Sequence, residues 1–145
     1  MPWLGARTVA LLHALYYGIG GAWPLVHIKS FEKVTGGKWD DWLVRTVGWL
    51  MVALGAGLLP ASRRDVPREL RIIGLVSSAS VGGVAAYYGL RGRISKLYLI
   101  DAVLQFGLAA LWLRTLVRPE DDAGTTREQR VAPEKPSEAA VESIV

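Results

Sequence analysis

The sequence predicts an all-α fold: an integral membrane four-helix antiparallel bundle followed by a disordered, charged tail. Three observations predict it. The 145-residue chain is 51% apolar, with a mean hydropathy of +0.26. That apolar content is gathered into four stretches, about 6–28, 42–60, 70–90 and 97–117. Each is long enough to cross a hydrocarbon layer, which takes about 20 residues at a rise of about 1.5 Å per residue. Finally, basic residues gather at the ends of the stretches: Lys29, Lys33 and Lys38, then Arg63, Arg64, Arg68 and Arg71, then Arg91, Arg93 and Lys96. Such placement suits lipid headgroups and snorkelling stems rather than a nucleic-acid-binding face, so the net charge of +4 implies no nucleic-acid partner.

Arg7 precedes the first stretch, as in a secretory signal, but the run is too long and no small-x-small cleavage site follows. A retained first span is expected. Within it Gly18, Gly20, Gly21 and Pro24 invite a kink, because Pro24 has no N–H to give the carbonyl of Gly20. His13, Tyr17, Gly20, Pro24 and His27 follow one another at helical spacing. The next segment, KSFEKVTGG (29–37), reads as a short helix with Ser30 as cap and Gly36-Gly37 as stop. Its Phe31 and Val34 share a face that would lie on the membrane surface.

The second span opens on Asp40 and Asp41, carboxylates suited to the positive end of a helix dipole. Along the third, Gly74, Ser78, Gly82 and Ala86 recur every four residues, a small-residue stripe that lets membrane helices approach closely. A packing seam inside the chain is favoured over a dimer face. The fourth span carries Tyr98, Asp101, Gln105, Leu108 and Trp112 along one stripe. The 61–69 and 91–96 connections are short, which should make sequential spans antiparallel neighbours. From about Arg118 onward the chain is charged and without periodicity: residues 118–145 carry 4 Lys+Arg against 7 Asp+Glu.

Side A holds the N-terminus, the 61–69 loop and the tail; side B holds the 29–41 and 91–96 segments. Near-membrane Lys and Arg number seven on each side, so the positive-inside rule ties. An N-in/C-in orientation is preferred because a long charged tail is commonly left untranslocated. The setting expected is a bacterial cytoplasmic (inner) membrane.

Two residues break the apolar pattern. Arg45 sits near the start of the second span, and Asp101 lies about 6 Å inside the fourth. A carboxylate at that depth costs about 2.5–3.5 kcal/mol on insertion scales, so Asp101 should face the interior. Arg45 has two readings, a local pair with Asp41 four residues before it and an interhelical bridge to Asp101. Both residues lean toward side B, and the two contacts are compatible. With His27, Tyr98 and Gln105 they form the candidate polar cluster: His27, Arg45, Tyr98, Asp101, Gln105.

The absence of cysteine excludes disulfides, thiolate metal sites and iron–sulfur clusters. His13 and His27, about 21 Å apart on one helix, cannot share a metal or a haem iron. No phosphate loop, zinc-protease motif or nucleophile elbow is present. No catalytic or metal-ligating residue is assigned.

Trp23-Pro24, SFEKVTG (30–36), DDWLVRTVG (40–48) and RGRISKLYLIDA (91–102) together resemble small bacterial four-span membrane proteins. More distantly, residues 7–115 are similar to the DoxX-like group. That resemblance implies a membrane subunit of a quinone-linked oxidoreductase. The residues themselves favour a non-enzymatic accessory or scaffold subunit with a membrane-protein partner and no cofactor. Two alternatives stay open: a subunit or small enzyme binding a quinone or other lipophile, and a proton or small-solute path along Asp101 and Gln105.

Overall fold

The structure, a computed structural model, describes residues 5–37 and 40–117. The tail expected to be disordered lies outside them. Five helices follow in order: α1 (Ala6–Val26), α2 (Ile28–Thr35), α3 (Asp41–Ala61), α4 (Arg68–Leu90) and α5 (Leu97–Val117). The described residues contain no strand, and the fold is all-α. Every helix but α2 is long and apolar enough to cross a membrane. Between 17% and 39% of each such span is buried inside the protein, so most of each apolar surface faces outward. A helix apolar on all sides suits a membrane span. These four helices fit a small multi-pass membrane protein.

The bundle is two tight helix pairs, α1 with α3 and α4 with α5. Small residues set both seams. A Cβ added to Gly48 of α3 would lie 2.8 Å from the carbonyl oxygen of Gly21 in α1, so these backbones meet directly. On α4, Gly74 and Gly82 are buried against α5, Ser78 is buried between them, and Ala86 is half-buried. The flat face at Gly74 receives the ring of Trp112.

One expectation needs correcting. The short 62–67 loop makes α3 and α4 consecutive, yet they make almost no close backbone approach. Each has already committed its small-residue face, α3 to α1 and α4 to α5. The pairs meet instead through the larger side chains of α1 and α5.

The side A end is closed. Val9, Ala10, Ala14, Leu58, Val66 and Trp112 form a buried cluster there. Arg7 pairs with Asp65 at 2.6 Å on its surface. The Arg71 guanidinium donates from Nε to the carbonyl of Val66 (3.0 Å) and from Nη1 to that of Thr115 (2.8 Å). It thereby ties the loop to the electronegative C-terminal turn of α5. Toward side B the pairs separate, and a cavity opens between them.

Candidate functional site

The chain leaves α1 at His27, whose extended backbone (φ −147°, ψ 76°) ends the helix three residues after Pro24. His27, not Ser30, caps α2: its Nδ1 accepts from the backbone N–H of Ser30 at 3.1 Å. Ser30 Oγ donates to the His27 carbonyl (3.0 Å) and accepts from Trp23 Nε1 (2.9 Å). Phe31 then sets its ring edge-on to Trp23, with centroids 5.7 Å apart at 89°. These contacts lay α2 across the side B end of the opening, and Gly36, at φ 92°, closes the segment.

Beneath α2 lies a partly open cavity of about 570 Å³. Its walls come from α1 (Tyr16, Gly20, Trp23, Pro24), α2 (Phe31, Thr35), α3 (Leu43, Val44, Val47, Gly48, Met51), α4 (Val81) and α5 (Leu97, Tyr98, Ile100, Asp101, Leu104). Its size falls in the range of about 300–1,000 Å³ usual for small-molecule sites, and its lining is similarly apolar. Asp101 is the only carboxylate on the wall among the described residues. The Tyr16 hydroxyl donates to Asp101 Oδ1 across the α1–α5 interface. A shallower depression shares Thr35, Leu43 and Val44 with the cavity and reaches Asp40 and Arg93 at the surface.

Below the cavity the polar groups continue down the stripe. Tyr17 donates to Gln105 Oε1 at 3.4 Å, and Trp112 Nε1 donates to His13 Nδ1 at 3.0 Å. The His13 ring packs edge-on to Tyr17, with centroids 4.1 Å apart. His13 Nε2 and Gln105 Nε2 are buried without a hydrogen-bond partner. Such an arrangement costs about 1–3 kcal/mol per group.

The five residues grouped from sequence are not one cluster. Tyr98 and Asp101 share the cavity wall, Gln105 lies buried deeper, and His27 serves as an exposed helix cap. The Arg45–Asp101 bridge is not formed, and neither is an Arg45–Asp41 pair; the ion pair between α1 and the 62–67 loop is Arg7–Asp65. The reason is angular. Val47 lines the cavity, and Arg45, two residues earlier, lies about 160° away round a helix of 3.6 residues per turn. Arg45 is exposed on the opposite flank. The partner that sequence reasoning missed is Tyr16. One signal pointed to it: with α1 and α5 antiparallel, the Tyr16-Tyr17 pair falls opposite Asp101 and Gln105.

Among the described residues no group of three or more His, Asp or Glu is placed to hold a metal ion. The fold and site thus define a small multi-pass membrane protein with an internal apolar cavity headed by one carboxylate. No family model matches the chain, and no solved structure matches it. It is similar to a serine–tRNA ligase of Bifidobacterium adolescentis, at 28% identity over 109 residues, 71% of this chain and 25% of that protein. The chain therefore spans about a quarter of that relative's length. An identity this low shows no family.

Proposed function

We propose that the protein, seated in a lipid bilayer, holds one lipophilic molecule in the cavity between its helix pairs, with the polar end against Asp101 and Tyr16. The observation that carries this reading is the pairing of about 570 Å³ of apolar space with a single hydrogen-bonded carboxylate on its wall. An apolar pocket with few, placed polar groups is the usual form of a small-molecule site. Holding is favoured over catalysis, because a lone carboxylate–phenol pair is not a nucleophile, base and orienter set.

The Arg45–Asp101 pair expected of an accessory subunit is not formed, whereas the small-residue stripe packs inside the chain on α5, as expected. A quinone is one lipophile of suitable size, in keeping with the DoxX-like resemblance. The ligase's activity is not carried over, since the overlap covers a quarter of that enzyme.

Native mass spectrometry of the chain released from its own membrane tests the proposal. A retained small molecule is expected. Gly20→Phe should expel it, because a Cβ at Gly20 meets only the flexible end of Met51 at 3.6 Å, so the ring can fill the cavity without moving backbone. A wild-type protein that carries no small molecule, or a mass still retained by Gly20→Phe, would overturn the reading.

A further inference from the structure

The cavity wall offers an acceptor and no free donor among the side chains whose bonds are resolved. The Tyr16 hydroxyl is spent on Asp101, the Trp23 indole N–H on Ser30, and the Thr35 hydroxyl on the carbonyl of Phe31. Asp101, by contrast, is an acceptor on that wall, and its hydrogen bond from Tyr16 engages Oδ1. It forms no ion pair, and no Lys or Arg lines the cavity among the described residues. Arg93 belongs to the shallow surface depression and Arg45 to the far flank of α3. A carboxylate in an apolar wall without a cation is a costly arrangement that a positive ligand group relieves.

The aromatic content points the same way. Tyr16, Trp23, Phe31 and Tyr98 all contribute to this one wall. Aromatic faces carry negative charge density and attract desolvated cations, most strongly those too bulky to be well hydrated. Resting on the lipophile-holding proposal, we infer that the occupant is a lipophilic cation, its amine or ammonium group set between Asp101 and these four rings. A neutral, carbonyl-headed molecule would meet an acceptor where it needs a donor. An anion would meet Asp101.

The test uses the full chain in nanodiscs of zwitterionic phosphatidylcholine, with two probes of similar bulk: tetraphenylphosphonium, a cation, and triphenylphosphine oxide, a neutral acceptor. Equilibrium dialysis should show saturable binding of the cation at least tenfold tighter than of the oxide. Asp101→Asn, which keeps the side-chain shape, should abolish that preference by weakening the cation at least tenfold, while the oxide, offered an amide donor, binds no more weakly than before. Trp23→Leu and Phe31→Leu should each lower it severalfold, an effect read without touching the Tyr16–Asp101 bond. Equal affinity for the two probes, or a preference that survives Asp101→Asn, overturns the cation inference and leaves the cavity proposal standing. Failure of both probes to bind, together with a wild-type protein that retains no small molecule, overturns both.

Discussion

Replacing Gly74 by alanine is expected to loosen the bundle more than any other single-methyl change in α4. A Cβ at Gly74 would lie 2.5 Å from Nε1 and 2.9 Å from Cζ2 of Trp112, where real Cβ atoms do not sit. Trp112 has nowhere to go: it is fully buried, and its indole N–H is fixed on His13 at 3.0 Å. Overpacking of this kind costs about 1–3 kcal/mol, and losing the indole bond adds about 1 kcal/mol. Alanine's better helix propensity returns at most about 1 kcal/mol, leaving a net loss of about 1–3 kcal/mol. Gly83→Ala is the matched control, since its Cβ meets nothing within 4 Å; it should be neutral or stabilising by up to about 1 kcal/mol. Reversible unfolding in mixed micelles, followed by far-ultraviolet circular dichroism, should therefore separate the two variants by about 2–4 kcal/mol. The indole ¹⁵N–¹H resonance of Trp112 should shift in the first variant alone. Equal stability for the two would refute the claim that Gly74 exists to seat Trp112.

Three further outcomes follow from the polar contacts. Tyr16→Phe removes the single hydrogen bond to Asp101 and should cost about 1–3 kcal/mol in the same unfolding assay; an unchanged midpoint would show that the bond contributes nothing. In a double-mutant cycle, Arg45→Ala and Asp101→Asn should be additive, because the two side chains share no partner; coupling beyond about 0.5 kcal/mol would restore the bridge. Gln105→Met should be near neutral, since removing an unpartnered buried amide nitrogen offsets the loss of the long 3.4 Å bond from Tyr17, at similar volume. A loss above about 2 kcal/mol there would mean that the amide is properly satisfied.

The four long helices were legible because fitness to cross a membrane is a one-dimensional property. Length and apolar content mark each helix, and observed ends differ from expected ones by a few residues, as at Val26, where the chain turns at His27. Lateral arrangement was less legible. Short loops suggested that α3 and α4 are neighbours, but small-residue faces decided the pairing, and a loop of six residues tolerates the separation. Arg45 shows the same limit. Its depth matched that of Asp101, and depth was all that the spacing could supply, whereas its direction round α3 depends on which face Gly48 turns to α1. Tyr16 was hard to single out for a related reason. In a helix apolar on every side, nothing local separates Tyr16 from Tyr17, and only the packing of α1 on α5 assigns one to Asp101 and the other to Gln105.

The chain contains no cysteine, so paired cysteines can map the α1–α5 contact without background. Tyr16→Cys with Asp101→Cys, treated in native membranes with a short bis-thiosulfonate reagent, should crosslink efficiently and join α1 to α5 within one chain. Arg45→Cys with Asp101→Cys should not. Efficient linking of the second pair and none of the first would contradict the placement of Asp101 on a cavity wall facing α1.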